Sequence, residues 1–93
     1  MPFDYDFSDK LKGIIKKLRK KDPKKTEAIH KKVTQIINSD ETAIEHYKNL
    51  RHDLSGEKRV HIEKSFVLTF KYDKNKKFIL FLDLDHHDNI YKR

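Results

Sequence analysis

The hydrophobic period of this chain changes once along its length, and that change constrains the fold more than any other feature. Up to residue 37 the apolar side chains recur at helical spacing. Leu11, Ile14, Ile15 and Leu18 follow the i, i+3, i+4, i+7 template, and Ala28, Ile29, Val33, Ile36 and Ile37 form a second stripe. Beyond Gly56 the period is two. Val60 and Ile62 alternate with Arg59, His61 and Glu63, and Phe66, Leu68, Phe70 and Tyr72 alternate with Val67, Thr69 and Lys71. A third run, Lys77 to Leu84, is apolar on both faces, which predicts a strand at the centre of a sheet or covered on both sides. Helical stripes followed by strands bury their apolar sides by packing the helices on one face of the sheet, which is an α+β architecture.

Local signals place the boundaries. Phe3, Tyr5 and Phe7 alternate with Asp4 and Asp6 as a short half-buried strand, and Ser8 is positioned to cap the first helix. Asp22-Pro23 reads as a cap followed by proline at the first helical position, where its missing N–H costs nothing. Asp73-Lys74-Asn75-Lys76 reads as the turn into the last strand. The expected order is β-α-α-β-β-β, an antiparallel-rich sheet with a two-helix hairpin on one face. The pattern weakens from Asn38 to Gly56, which reads as a turn and then a loop or irregular strand anchored by Tyr47 and Leu50. A length of 93 residues is read as a single domain, 1–93.

Composition narrows the chemistry. There is no cysteine, so a disulfide scaffold, thiol catalysis and cysteine-ligated zinc are excluded. The longest apolar run, Phe78 to Leu82, falls far short of the roughly 20 residues of a membrane span. Asp4, Asp6 and Asp9 stand where a secretory signal carries basic residues, so a cytoplasmic location is expected. The formal charge is +7, and Lys10 to Lys32 holds ten lysines and one arginine against Asp22 and Glu27, a local +9. Such a helix surface is first of all a solvated one, and it also suits a polyanionic partner.

The stretch Asp83 to Arg93 is dense in titratable groups. His and Asp there are competent metal ligands, but the adjacent His86 and His87 cannot face one point in an extended segment, and no zincin or finger spacing is present. A different set suits RNA cleavage. His87 and Tyr91, four apart, share a face if this segment makes a helical turn, and Arg59 and His61 come from a neighbouring strand. Attack of a ribose 2′-OH on the adjacent phosphate needs a base, cationic stabilisation of the phosphorane and an acid for the departing 5′ oxygen.

Leu50, Arg59-Val60-His61-Ile62, Phe66-Val67-Leu68-Thr69-Phe70, the Lys77 to Leu84 strand and His86-His87-Asp88-Asn89-Ile90-Tyr91 together resemble the RelE toxin superfamily, in particular its YafQ- and YoeB-like branches. The resemblance spans nearly the whole chain. It implies a type II toxin that enters the ribosomal A site and cuts mRNA without a metal or other cofactor, leaving a 2′,3′-cyclic phosphate and a 5′-OH. By the same resemblance His61 acts as acid or base, His87 protonates or stabilises the leaving oxygen, Tyr91 stacks on a base, and Arg59 clamps the scissile phosphate. The chain departs from the pattern at Val67, where RelE has arginine, and at Ser65, where the YafQ branch has aspartate. Glu63 and Asp88 are further carboxylates available as a base.

Lys48, Arg51, Lys58, Lys64 and Lys71, with the basic hairpin, are the expected contacts to rRNA and mRNA phosphates. The implied protein partner is a RelB-like antitoxin, an acidic segment that folds as it wraps the toxin. Two other classes fit the same fold: a ParE-like toxin that poisons DNA gyrase without cutting RNA, and an inactive basic nucleic-acid-binding module. ParE-like chains generally lack the histidine and terminal aromatic set, which favours the ribonuclease.

Overall fold

A computed structural model describes residues 2–49 and 56–91, the last of them for its backbone alone. Strand β1 (Asp4–Phe7) runs into helix α1 (Asp9–Lys21) through Ser8. The Ser8 hydroxyl accepts from the Leu11 amide at 3.1 Å and donates to the Leu82 carbonyl at 2.5 Å, so one side chain both caps the helix and fastens it to the sheet. An N-cap of this kind contributes about 1 kcal/mol. Asp22 separates α1 from α2 (Pro23–Ile37), accepting from the Lys25 amide at 3.0 Å, with Pro23 at the first position.

Strands β2 (Glu57–Ile62), β3 (Phe66–Asp73) and β4 (Phe78–His86) complete a four-stranded sheet in the order β1-β4-β3-β2. The β1–β4 pair is parallel and the other two are antiparallel. The strand that is apolar on both faces therefore lies inside the sheet, between β1 and β3. Its pairing with β3 slips once: Thr69 stands opposite Asp83 and Phe70 opposite Phe81, leaving Leu82 as the extra residue of a bulge. The Leu82 carbonyl is the one that the Ser8 hydroxyl takes up. In the turn before β4, the Asp73 carboxylate accepts from the Asn75 and Lys76 amides.

The helices cover one face. Leu11, Ile15, Ile29, Val33 and Ile36 pack on Ile62, Leu68, Phe70, Ile79, Phe81 and Leu84, all with little or no exposure. Burying each of the larger side chains contributes about 1.5–3 kcal/mol. Tyr72 extends this face toward Phe3, ring to ring at 5.4 Å.

The segment after α2 differs from its expected form. Asn38 to Asp40 does form the turn, but Glu41–His46 is a helical turn and a half, α3, capped by Asp40, which accepts from the Ala43 amide at 2.8 Å. Only Ile44 of α3 is fully buried, so the helix is too short to show a periodic stripe. Tyr47 anchors the following loop on Phe70, with centroids 5.6 Å apart, while Leu50 lies outside the described residues. The first residue of α3, Glu41, stands beside Tyr72. Burial raises the Tyr72 phenol above its ordinary value, and the Glu41 carboxylate raises it further. Among the described residues no helix is long and apolar enough to cross a membrane.

Candidate active site

Alternation along β2 sends Val60 and Ile62 toward the helices and Arg59 and His61 to the opposite face, with about 6.6 Å of strand between the last two. In register with them on β3 and β4 are Thr69 and Asp83 beside Arg59, and Val67 and Asp85 beside His61. This second face is not bare. After His86 the chain turns into a short helix, α4 (His87–Tyr91), whose Ile90 is 1% exposed; Val67 is also fully buried, and neither residue belongs to the core under α1 and α2.

Two contacts fix where α4 sits. The His87 amide donates to the Ser65 carbonyl at 2.7 Å, tying the helix start to the β2–β3 turn. The His87 ring then stacks on His61, with centroids 5.8 Å apart and planes at 21°. The Asn89 amide donates to Asp85 at 3.1 Å and holds the middle of the helix to the end of β4. The β2–β3 turn itself needs Glu63 in the left-handed region, at φ 57°, a conformation that costs a non-glycine residue of order 1 kcal/mol.

His86, although adjacent to His87, points elsewhere. Its ring meets Phe66 edge-on at 5.7 Å, and Phe66 carries the Lys25 ammonium 3.6 Å above its ring. A strand-to-helix transition between the two histidines therefore separates their rings. Asp88 lies between them, with one carboxylate oxygen 3.6 Å from Nδ1 of His87 and the other 3.8 Å from Nδ1 of His86. Asp83 is 6% exposed and pairs with the Lys10 ammonium at 3.0 Å. Among the described residues no three His, Asp or Glu side chains converge as a metal site would require.

The structure thus brings Arg59, His61 and His87 to one side of the sheet, with the backbone of Tyr91 on the same short helix as His87. The Arg59 guanidinium also donates through Nε to the Asn49 carbonyl at 3.3 Å. Lys71 lies further along the same face, exposed, and Lys64 is exposed in the β2–β3 turn. Lys58 is turned the other way, its ammonium donating to the Glu45 and Tyr47 carbonyls and to Asn49 at 3.1–3.3 Å, where it closes the loop against β2. Lys48 is exposed in that loop, its carbonyl accepting from the Arg59 amide at 2.9 Å. Arg51 and the Tyr91 side chain lie outside the described residues. Sequence reasoning missed Lys25, whose position over Phe66 depends on how α2 crosses the sheet and leaves no local signal.

No protein-family model matches the sequence. The chain is 50% identical over 91 residues to a Methanocaldococcus jannaschii protein named "Putative toxin RelE4", the match covering 98% of this chain and 93% of that one. An uncharacterised protein of Methanosarcina mazei is 40% identical over 81 residues, 87% of this chain and 90% of that one. Among solved structures, the toxin–antitoxin complex RelBE2 of Mycobacterium tuberculosis matches with a TM-score of 0.65 at 19% identity, over 94% of this chain and all of that one. A mutant of E. coli toxin RelE in the free state matches with a TM-score of 0.66 at 16% identity, over 99% and 93%. Half of the aligned positions shared with a RelE protein along nearly the whole sequence, on the fold of two solved RelE structures, place this chain in the RelE toxin family.

Proposed function

We propose that this protein is the toxin of a RelBE-type pair and acts in the cytoplasm as a ribosome-dependent endoribonuclease. The observation that carries the reading is the stacked His61–His87 pair on the sheet face that also bears Arg59. Two imidazoles and a guanidinium are what in-line attack by a 2′-OH asks for. One ring takes the proton of the hydroxyl as its oxygen bonds to phosphorus, and Arg59 meets the charge on the phosphorane. The other ring delivers a proton to the 5′ oxygen as the P–O bond breaks. His87 is assigned the second role and His61 the first, and no metal takes part. The products are a 2′,3′-cyclic phosphate and a 5′-OH.

Tyr91 serves as a stacking platform for a splayed mRNA base, an interaction of about 1–3 kcal/mol. Exposed Lys48, Lys64 and Lys71, with Arg51 and the lysines of α1 and α2, bind rRNA and mRNA phosphates and hold the domain in the A site. Lys58 joins them only by releasing the loop carbonyls it now holds. The controlling partner is a RelB-like antitoxin, an acidic chain that folds over the basic surface.

The experiment is primer extension on mRNA from translating ribosomes incubated with the protein, with free mRNA as control. Codon-phased cuts on ribosomes alone, persisting in chelator, are the expected result. Growth arrest without cuts in either sample would sink the nuclease reading and favour a gyrase-directed or purely binding toxin.

A further inference from the structure

The two adjacent histidines meet the same residue in different ways. His86 is the last residue of β4 and occupies the N-cap position of α4. The first amides of a helix have no partner within it. Here the Asp88 main-chain N–H donates to Nδ1 of His86 at 3.3 Å, the cap-to-second-residue bond that Ser, Asp or Asn usually supplies. An imidazole nitrogen accepts a hydrogen bond only when it carries no proton, so in the capped helix the neutral His86 ring holds its proton on Nε2. The Asp88 carboxylate is drawn to the same helix start by the exposed amides there. Its Oδ1 faces Nδ1 of His87 at 3.6 Å, longer than a hydrogen bond, so the effect is electrostatic. An anion in that position favours a proton on the nitrogen it faces.

We infer that Asp88 sorts the two histidines into opposite neutral tautomers, its amide keeping Nδ1 of His86 bare and its carboxylate keeping Nδ1 of His87 protonated. The other carboxylate oxygen also lies 3.8 Å from Nδ1 of His86, but the amide is closer and fixed by the helix, so the cap decides that ring. The sorting leaves Nε2 of His87 as its free basic atom. His61 packs flat against the His87 ring and so leaves the rim of that ring, where Nε2 lies, uncovered by the stack. Asp88 is thereby a positioning residue: on the nuclease reading above, it decides which nitrogen of His87 exchanges a proton with RNA. His86 is the structural member of the pair, held between its cap bond and the edge contact with Phe66.

The test is a two-bond 1H–15N correlation spectrum of the full chain labelled with 15N-histidine, at a pH where the rings are neutral. Wild type is expected to show the Nδ1–H pattern for His87 and the Nε2–H pattern for His86. Asp88→Ala keeps the main-chain amide, so His86 stays as it is while His87 moves to mainly Nε2–H, the form favoured by an unconstrained ring. Asp88→Asn, whose side-chain carbonyl still accepts from Nδ1–H, restores part of the wild-type pattern. Cleavage on ribosomes by Asp88→Ala falls at least tenfold in kcat, with KM little changed and partial recovery in Asp88→Asn. An Nε2–H pattern for His87 in wild type, or a His87 tautomer unmoved by Asp88→Ala, overturns the inference. The spectrum contains no RNA, so a wild-type protein that shows the sorted pattern and cleaves nothing upholds the sorting and defeats the nuclease reading instead.

Discussion

His61 and His87 come from an edge strand and from a helix beyond the central strand, yet their rings lie face to face, 5.8 Å between centroids. Each is positioned by backbone rather than by the other: His61 by the β2–β3 ladder, His87 by the bond from its amide to the Ser65 carbonyl. Replacing either ring by alanine should therefore leave the fold intact. His61→Ala and His87→Ala are each expected to slow ribosome-dependent cleavage by about 10²- to 10⁴-fold. Their melting temperatures should stay within a few degrees of wild type, and the doubly substituted protein should lose little more than the worse single variant. Cleavage kinetics with calorimetry on the same preparations check both points.

Ile90 is the one fully buried side chain of α4. Ile90→Ala removes the apolar anchor of a helix only five residues long, so α4 should undock before the rest of the molecule unfolds. Hydrogen exchange at the His87 amide is expected to accelerate strongly, with the amides of β3 and β4 unaffected. Cleavage should fall alongside that local protection.

Two lysines of α1 make ion pairs of different kinds. Lys10 reaches Asp83, whose side chain is 8% exposed, at 3.0 Å, whereas Lys12 reaches Asp6 at 3.8 Å with both groups in solvent. Lys10→Met leaves a carboxylate largely withdrawn from water without its cation and should cost about 1–2 kcal/mol, discounted because Lys10 itself is mostly exposed. Lys12→Met should stay within about 0.5 kcal/mol. Urea midpoints of the two variants, measured side by side, give the comparison.

The raised phenol of Tyr72 has a pH signature. Its folded-state value lies above the unfolded value of 10.0, so its contribution to stability is complete below pH 10 and is lost as pH rises through the folded value. Urea midpoints between pH 8 and 11 should fall more steeply for wild type than for Tyr72→Phe. Lysine titration is common to both proteins and cancels in the difference. Parallel curves would show that the Tyr72 environment makes no such contribution.

Most of the architecture is legible in the sequence because the two periods are clean: the stripes of α1 and α2 and the alternation of β2 and β3 each decide which side is buried. Caps gave sharp boundaries at Ser8 and Asp22, since each supplies an oxygen to an amide that lacks a helical partner. Helix α3 escaped because six residues with one buried side chain carry no period. At the site, the face shared by Arg59 and His61 follows from alternation alone. Its meeting with His87 does not, because it rests on α4 folding back over the sheet, a turn fixed by the bond to Ser65 that no local pattern announces. Val67 shows the same limit. As a residue of β3 it was read on the open side, and it is fully buried.

The parallel pairing of β1 with β4 sets the order in which the molecule can assemble. Between those strands in the chain lie both long helices and the β2–β3 pair, so closing the sheet means joining its most distant segments, a step that is slow because the loop entropy is lost before the contacts are gained. A nascent chain that has reached only Asp73 holds β1 without its neighbour and the apolar sides of α1 and α2 without Ile79 and Phe81 beneath them. The histidine pair arrives later still, since His87 follows β4. A half-made molecule therefore has no stacked pair, and any cleaving power this chain possesses switches on in one step, when β4 slides between its two neighbours.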